Sequence, residues 1–284
     1  MTAPEAPRFP GDEALLGPGE TVLLIDRKGR RYLVVLQEAG EFHYHGGAVR
    51  HDDILGQPEG VRVRSAKGSH VRVFRPTSAD WTVKAPRGAQ VVYPKDQALI
   101  VGLADIGPGM TVVEAGAGSG ALTCALLRAV GEHGQVISFE VRDDHADIAE
   151  RTVARRFGGP PPNWSLRRGD VVAGLAAVSC HRIVLDLLEP WEVCKSSASA
   201  LFPGGILCTY TPSVPQVMRV HEALLEDGRW AGTETVEALV RPWHVDGLAV
   251  RPAHRMVAHT AFLTVARRLP DRPAEVAGEQ GTRL

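Results

Sequence analysis

The sequence lacks the long apolar segment and the leader that mark membrane and secreted proteins. It contains no run of about 18 apolar residues, the length that a membrane-spanning helix needs. It opens with MTAPEAPRFPGDE rather than with a basic and apolar leader. We therefore expect a cytoplasmic protein that does not associate with membranes.

Cysteine is also scarce, with 4 residues in a chain of 284, and the four are spaced singly. Structural zinc sites and disulfide frameworks need cysteines in close pairs or sets, so we expect reduced thiols and no metal ion. His43, His45 and His51 are close together in sequence, but they have no acids or cysteines at ligand spacing. We interpret them as polar surface between strands rather than as a metal cluster.

Net charge is low, at −1, but the basic residues are unevenly distributed. Between Gly60 and Lys95 the only acid is Asp80, against the basic residues Arg62, Arg64, Lys67, Arg72, Arg75, Lys84, Arg87 and Lys95. This segment is a candidate phosphate-binding face for a nucleic acid. Its candidate contacts are Arg62, Arg64, Arg72 and Arg87. The patterns VRVR and VRVF fit equally well a solvated surface of strands with the arginines facing outward.

Changes in amino-acid composition along the chain divide it into five segments. Residues 1–18 are rich in proline, glycine and acids and are expected to be a loose arm. Short β-rich runs with glycine-containing turns predict a small all-β domain over 19–78, and 79–96 are expected to be a connector. Over 97–269 strands and helices alternate, which predicts an α/β domain with a mainly parallel sheet. The last 15 residues, 270–284, are expected to be a loose tail.

The segment around which the chain is organised is TVVEAGAGSGALT, at 111–123. An apolar run, three glycines and the helical spacing of ALTCALLRAV predict a strand, a glycine turn and a helix. Such a turn lets a ligand approach bare backbone, and the first N–H groups of the helix can donate to it. The run QVISF predicts a second strand, with Glu140 at its carboxyl end. An acid about 20 residues beyond the turn is suited to bind ribose hydroxyls, so a nucleoside ligand is expected.

Two kinds of nucleoside cofactor fit this turn. Gly116, Gly118 and Ala121 also match the dinucleotide fingerprint G-x-G-x-x-G/A, which leaves a nicotinamide dehydrogenase as an alternative. A carboxylate at Glu114 would repel a diphosphate, whereas S-adenosylmethionine carries a sulfonium and an ammonium group and no phosphate. We therefore favour S-adenosylmethionine over a dinucleotide, and over a turn that only packs a helix on a sheet.

Two further acids follow predicted strands, at the edge where open α/β sheets bind ligands. Asp170 ends SLRRGD and is interpreted either as an acceptor for the amine of adenine or as a helix cap. Asp186 lies within RIVLDLLEPW, where burial of an unpaired carboxylate is costly, which favours a functional role. Trp191 follows closely and is suited to stacking on a planar base, or else belongs to the core.

Several motifs together resemble the tRNA (adenine-N1)-methyltransferase family that modifies position 58 in the T-loop. They are PRGAQVVYPKD at 86–96, EAGAGSGALT at 114–123, LDLLEPWEV at 185–193 and RPAHRMVAHTAFL at 251–263, together with Glu140 and Asp170. The glycine turn is common to many methyltransferases with a Rossmann-like fold. The combination of YPKD, DLLEPW and RPxHxMxxHTAFL is specific, and the match covers nearly the whole chain.

The resemblance implies a Rossmann-like class I methyltransferase sheet with a small N-terminal all-β domain, S-adenosylmethionine as cofactor, tRNA as substrate, and a homotetramer. The residues that it assigns to the cofactor are Glu114, Gly116, Ala117, Gly118, Ser119, Gly120, Ala121, Leu122, Glu140, His145, Asp170 and Asp186. It also assigns Asp186 as the active-site acid and Tyr93 to the pocket of the target base. Trp191 and His259 are further candidate tRNA contacts.

The implied reaction needs no covalent catalyst, because N1 of adenine is itself the nucleophile. The base is expected to flip out of the T-loop, and Asp186 to accept a hydrogen bond from its N6 amino group and align N1. One alternative is a protein (isoaspartyl) or small-molecule methyltransferase, which does not need a basic β-domain. Another is a non-catalytic tRNA-binding subunit, which the intact set of acids disfavours.

Overall fold

The computed structural model describes residue 11 and residues 13–84 and 90–271. The chain divides into two compact units. The first unit runs to Pro94 and includes Arg155–Gly159, and the second comprises Lys95–Ala154 and continues from Pro160. Within the described ranges, no helix is both long enough and apolar enough to cross a membrane.

The first unit is built mainly from antiparallel strands. They are β1 (Thr21–Asp26), β2 (Arg31–Val35), β3 (Glu41–Tyr44), β4 (Gly47–Arg50), β5 (Arg62–Arg64) and β6 (His70–Phe74). Four of them form a sheet in the order β2-β1-β6-β5, and β3 and β4 pair as a separate hairpin. Val63 and Val71 face a core with Leu24 and Leu36, while the arginines between them face outward, as strand alternation requires. The predicted N-terminal all-β region is confirmed.

The β3–β4 hairpin was missed from the sequence, and the placement of His43 between strands was wrong. His43 lies within β3, opposite Ala48 of β4. Aromatic packing holds the hairpin against β2, with the ring of Tyr32 centred 5.3 Å from that of Phe42 and 5.9 Å from that of Tyr44. The hairpin depends on these contacts with β2. The segment EFHYHGGAVR by itself shows no regular alternation of apolar and polar residues.

A short helix, α1 (Ser78–Lys84), lies where the sequence was interpreted as a connector. Two reciprocal hydrogen bonds stabilise the start of this helix. The Asp80 amide donates to Thr77 Oγ1 at 3.1 Å, and the Thr77 amide donates to Asp80 Oδ2 at 3.3 Å. This is a capping box, and its signature T-S-A-D was present in the sequence. The sequence therefore contains a local signal for the start of α1.

The second unit contains most of the remaining elements, although α2 begins at the last residue of the first unit and α4 ends within Arg155–Gly159. The helices are α2 (Pro94–Leu103), α3 (Ala121–Val130), α4 (Asp143–Phe157), α5 (Val171–Leu175), α6 (Cys194–Ala200) and α7 (Val214–Asp227). The strands are β7 (Thr111–Ala115), β8 (Gln135–Glu140), β9 (Trp164–Arg168), β10 (Cys180–Leu185), β11 (Leu201–Thr211), β12 (Trp230–Glu237), β13 (Trp243–Asp246), β14 (Ala249–Pro252) and β15 (Phe262–Arg268). Short 3-10 helices lie at His51–Asp53 and Pro190–Val193.

Seven of these strands form one sheet in the order β12-β15-β11-β10-β7-β8-β9. The five strands from β11 to β9 run parallel, and β15 is antiparallel to both of its neighbours. Val113 and Ala115 of β7 join a core cluster with side chains of α5, α6 and α7. Glu114, between them, points to the opposite face and is bonded to α3. Helices thus cover both faces, and the predicted α/β sheet is confirmed.

The register of the central strands brings their carboxyl ends to a common edge. Leu185 of β10 pairs with Ala115 of β7, and Ala115 pairs with Phe139 of β8. The residues that follow these positions are Asp186, Gly116 and Glu140. Because the strand order reverses direction beside β7, this edge is the point where open α/β sheets bind ligands.

Candidate active site

The glycine turn between β7 and α3 is packed too closely to admit side chains at two positions. Gly116, Gly118 and Gly120 all have positive φ, at 88°, 50° and 73°. A Cβ at Gly116 would overlap the carbonyl oxygen of Asp186, and a Cβ at Gly120 would lie 3.0 Å from backbone atoms of Ala149. The turn therefore presents bare backbone at the sheet edge, as the sequence predicted.

The other residues assigned to the turn can reach a ligand mainly through their backbone. The side chains of Ala117, Ala121 and Leu122 are buried. Ser119 is half-buried, and its Oγ accepts a hydrogen bond from the amide of Ala121 at 3.3 Å. A ligand at this edge would meet peptide groups more than side chains, which suits an anionic or zwitterionic group near the start of α3.

Glu140 ties the end of β8 to the glycine turn. Its Oε2 accepts from the amide of Gly118 at 2.9 Å, and its Oε1 accepts from the amide of Arg142 at 3.0 Å. His145 Nδ1 lies 4.0 Å from Oε2. The two backbone bonds fix the carboxylate while leaving lone pairs on both oxygens, so ribose hydroxyls are suitable additional donors.

Glu114 is fully buried behind the turn. Its Oε2 accepts hydrogen bonds from Thr123 Oγ1 at 2.7 Å and Ser138 Oγ at 2.6 Å, whereas its Oε1 is buried without a partner. Burial, opposed by the two hydroxyl bonds and aided by the charges of Asp186 and Glu140, raises the pKa of Glu114 to about 7. A carboxyl that is partly neutral at pH 7 repels a diphosphate less strongly, which weakens the argument made from sequence. Glu114 holds β7, β8 and α3 together.

Asp186 directly follows β10 and lies beside the turn. Its amide donates to the carbonyl of Ala115 at 2.9 Å, which continues the β7–β10 pairing by one residue. In the described part of the chain no donor is bonded to its carboxylate. Burial and the negative charge of Glu140 raise the pKa of Asp186 to about 7. An unpaired, partly desolvated carboxylate at a ligand-binding edge is typical of a functional acid.

Asp170 has the capping role that the sequence left open. It is the N-cap of α5, where its Oδ1 accepts a hydrogen bond from the amide of Val172 at 2.9 Å. The side chain is exposed, and the hydrogen bond occupies one oxygen. A contact with the adenine ring stays a prediction, and it is compatible with the cap.

Lys95, Asp96 and Thr260 form a closed triangle of hydrogen bonds. Lys95 Nζ donates to Asp96 Oδ1 at 2.7 Å and to Thr260 Oγ1 at 2.6 Å, and Thr260 Oγ1 donates to Asp96 Oδ2 at 2.7 Å. Asp96 is fully buried. The triangle joins the YPKD motif at the start of α2 to the HTAFL motif before β15. Sequence reasoning noted both motifs but did not connect them, because 164 residues separate Asp96 from Thr260.

His259 precedes Thr260 and is bonded at both ring nitrogens. Its Nδ1 lies 2.7 Å from Glu237 Oε1 and its Nε2 lies 2.8 Å from the carbonyl oxygen of Pro212. Both partners accept hydrogen bonds, and they raise the pKa of His259 because the doubly protonated ring satisfies both. The ring anchors the segment before β15, and a contact with tRNA stays a prediction.

The two aromatic candidates differ in their surroundings. Trp191 is half-buried against the core cluster, and Arg219 of α7 lies over its ring, 5.0 Å from the centroid. This arrangement fits the interpretation of Trp191 as core, and stacking on a base stays a prediction. Tyr93 is half-buried immediately before α2.

The basic residues singled out from the sequence divide into paired and unpaired side chains. Arg75 is buried and bonded to Glu20 and Glu59 at 2.6 and 3.4 Å, so it serves the fold. Arg62, Arg64 and Arg72 are exposed on β5 and β6. Arg87 lies outside the described residues. Within the ranges that are described, no three His, Cys, Asp or Glu side chains are placed to hold a metal ion.

The sheet order, the glycine turn and the acid at the end of β8 together define the class I fold of S-adenosylmethionine-dependent methyltransferases. Residues 69–250 match the family described as tRNA methyltransferase complex GCD14 subunit, and residues 15–63 match the TrmI-like N-terminal family. The chain belongs to this tRNA methyltransferase family. The resemblance drawn from the sequence is confirmed.

Relatives with assigned activities extend over most of the chain. A tRNA (adenine(58)-N(1))-methyltransferase TrmI of Thermus thermophilus is 40% identical over 247 residues, which are 87% of this chain and 96% of that protein. The tRNA (adenine(57)-N(1)/adenine(58)-N(1))-methyltransferase TrmI of Methanocaldococcus jannaschii is 34% identical over 277 residues, covering 89% and 96%.

Solved structures show the same fold over the same extent. A SAM-dependent O-methyltransferase from Thermotoga maritima superposes with a TM-score of 0.86 at 30% identity, covering 91% of this chain and 96% of that one. The tRNA (m1A58) methyltransferase TrmI from Aquifex aeolicus superposes with a TM-score of 0.79 at 27% identity, covering 91% and 100%.

Proposed function

We propose that the protein methylates N1 of adenine 58 in the T-loop of tRNA, with S-adenosylmethionine as the methyl donor. The observation that carries the proposal is the carboxylate of Asp186, which lies without a described partner beside the glycine turn. The chain is 40% identical over most of its length to a tRNA (adenine(58)-N(1))-methyltransferase. The cytoplasmic location expected from the sequence stays a prediction.

The residues at the sheet edge fit this cofactor. The glycine turn brings bare backbone to this edge, and Gly116 has no room for a Cβ because the carbonyl oxygen of Asp186 lies against it. Glu140 offers a fixed carboxylate to ribose hydroxyls, and Asp170 follows the next strand of the sheet, where its free oxygen would accept from the adenine amine. The bound cofactor supplies an electrophilic methyl group. Its sulfonium is positively charged, so the carboxylates on this edge would attract it.

Asp186 acts on the target base in this mechanism. Its ionised carboxylate accepts a hydrogen bond from the N6 amino group of adenine and thereby holds N1 in line for attack. Methylation places a positive charge on the base, and the negative carboxylate stabilises that charge as it develops. The base must leave the T-loop stack to reach this position. Tyr93 is proposed to line the pocket that receives it.

The direct test is methyl transfer by the purified full-length protein. We expect 1-methyladenosine in an unmodified tRNA transcript after incubation with methyl-labelled S-adenosylmethionine and nucleoside analysis. A transcript with guanosine at position 58 is the control, and residual product on it would reveal methylation of adenine 57. Cofactor binding without transfer to any tRNA would contradict the proposal and favour another acceptor or a partner-dependent subunit.

We further propose that the protein is a homotetramer. The β13–β14 hairpin supports association, because one of its faces is apolar and exposed. Trp243, Val245 and Val250 share that face, with exposed fractions of 61, 70 and 58%, while His244 and Arg251 share the other. An isolated two-stranded hairpin is marginally stable in water, so a second copy of the chain is the proposed cover for this face.

Mass measurement in solution tests the tetramer. We expect a species of four times the chain mass of 30.6 kDa, and Trp243→Gln should shift it toward smaller species as the protein is diluted. His244→Gln changes the polar face of the same strand and should leave the mass unchanged. A wild-type monomer, or equal effects of the two substitutions, would contradict the proposed role of the hairpin.

A further inference from the structure

The outer face of β5 and β6 carries positive side chains directly opposite one another. Arg62 pairs in register with Arg72, and Arg64 pairs with His70, while Val63 and Val71 between them point into the core. Like charges in directly opposed positions destabilise a sheet. We call the set Arg27, Arg62, Arg64, His70 and Arg72 the arginine face.

A cavity of about 300 Å³ opens on this face, and four of these five residues line it. They are Arg27, Arg62, His70 and Arg72. One acid, Asp26, also lines the cavity, but its oxygens are already occupied. They accept from the amides of Lys28 and Arg30 at 2.8 and 2.9 Å and from Arg30 Nε at 2.7 Å. The charge of Asp26 is therefore largely offset by Arg30.

The positive charges of the face are not neutralised within the described part of the chain. No carboxylate there forms an ion pair with Arg27, Arg62 or Arg64, and Arg72 donates from Nη1 to the carbonyl of Gly60 at 3.1 Å. By contrast, Arg31 on the same sheet is paired with Asp80. The sequence thus supplies partners for some arginines of this unit and leaves the arginine face without them.

His70 shares this face with the arginines and adds an imidazole to it. Burial and the charges of Arg62, Arg64 and Arg27 lower the pKa of its imidazole, so the ring is neutral at pH 7 and can donate one hydrogen bond. Guanidinium groups bind phosphate oxygens in pairs of parallel hydrogen bonds, and a neutral imidazole adds a donor without adding repulsion. The combination of groups is that of a phosphate site.

We propose that the arginine face is a phosphate-binding subsite that holds the backbone of the tRNA substrate on the first unit. This inference rests on the proposed function, and it goes beyond it by adding Arg27 and His70 and by selecting Arg62 and Arg72 as the central pair. Phosphate contacts position a nucleic acid without reading its sequence. The subsite therefore sets affinity and its salt dependence, and leaves the choice of target base to the second unit.

The test compares charge removal on and off the face. Arg62→Gln is matched by Arg50→Gln, since Arg50 is an exposed arginine of the same unit that is paired with Asp52 at 3.4 Å. We expect Arg62→Gln to weaken binding of an unmodified tRNA transcript on the order of tenfold and to reduce the slope of log affinity against log salt by about 1. Arg50→Gln should change neither quantity by more than about twofold.

A second readout separates binding from folding. Because Arg62 and Arg72 repel each other in the free protein, Arg62→Gln should keep or raise the melting temperature while it weakens tRNA binding. Cofactor affinity should be unchanged. Equal affinity and salt slope for Arg62→Gln and Arg50→Gln would overturn the subsite, and so would a fall in melting temperature that accounts for the binding loss. Failure of the proposed function would appear instead as absence of 1-methyladenosine with the wild-type protein.

Discussion

We expect Asp186→Ala to lower the rate of methyl transfer on the order of 10²- to 10³-fold and to change the Kd for S-adenosylmethionine by no more than about threefold. The carboxylate has no described hydrogen-bond donor, so its removal breaks no bond that holds the glycine turn. What is lost is an acceptor for the N6 amino group and a negative charge beside the base as it becomes positive. Single-turnover rates at saturating cofactor, together with calorimetric titration of the cofactor, measure the two quantities separately.

Asp186→Asn is the sharper variant, because it keeps the shape of the side chain and removes its charge. If charge stabilisation matters, the rate should fall nearly as far as in the alanine variant. If positioning alone matters, the asparagine carbonyl can still accept the N6 hydrogen bond and most of the rate should remain. Similar losses of rate and cofactor affinity in both variants would show that Asp186 serves binding and not transfer.

The rate should also depend on pH through Asp186. Its pKa is raised to about 7 by burial and by the charge of Glu140, and only the ionised form has the proposed role. The rate should therefore rise with pH, with a midpoint at about 7, and level off roughly one pH unit higher. A bound sulfonium favours the ionised carboxylate, so saturating cofactor should move the rise to lower pH. In Asp186→Asn this rise should disappear, whereas its persistence would assign the titration to another group such as Glu114.

Gly116→Ala should give the second large effect, on folding and cofactor binding together. The new Cβ would overlap the carbonyl oxygen of Asp186, a backbone atom of a residue whose amide donates to Ala115 of β7. Gly109→Ala is the matched control, because Gly109 has a similar φ of 81° but no atom within 4 Å of its Cβ position. The difference between the two variants isolates the cost of the close approach from the cost of a positive φ.

We expect Gly109→Ala to lower the free energy of unfolding by about 1–2 kcal/mol, the cost of a left-handed alanine. Gly116→Ala should lose roughly 1–3 kcal/mol more, which is the usual cost of forced overpacking. It should also lose cofactor affinity, because relief of the overlap moves the turn or Asp186. Urea unfolding with and without cofactor measures both effects. Equal losses in the two variants would mean that the turn is not closely packed against Asp186.

Local signals were sufficient to predict the framework of the site. The glycine turn was predicted because three glycines follow a short apolar run and precede ten residues with helical spacing, and α3 has the predicted bounds. Glu140 and Asp186 were recognised because each follows an apolar strand, and the parallel register then brings the strand ends together. Such inferences need only chain periodicity and the general geometry of parallel sheets.

Side-chain partners were not predictable, because they depend on which elements meet. The sequence placed Glu114 beside the cofactor, whereas the structure buries it against Thr123 and Ser138 on two other elements. The triangle of Lys95, Asp96 and Thr260 joins two motifs that lie far apart in the chain. Neither hairpin was predicted. The β3–β4 hairpin is held by aromatic contacts with β2, and the β13–β14 hairpin exposes most of its residues.

The sequence by itself determined the class of the protein, because the order of strands, glycine turn, helix and acids is a local pattern that few folds can satisfy. Only the tertiary structure decided whether each charged side chain is buried in an ion pair or exposed to solvent. Arg75 and Arg62 are indistinguishable as letters, yet one is buried between Glu20 and Glu59 while the other opposes Arg72 on an open face. The pKa of a charged side chain, and whether it is free to bind a ligand, depend on its burial and on neighbours that folding brings together. Residue spacing along the chain does not determine either of them.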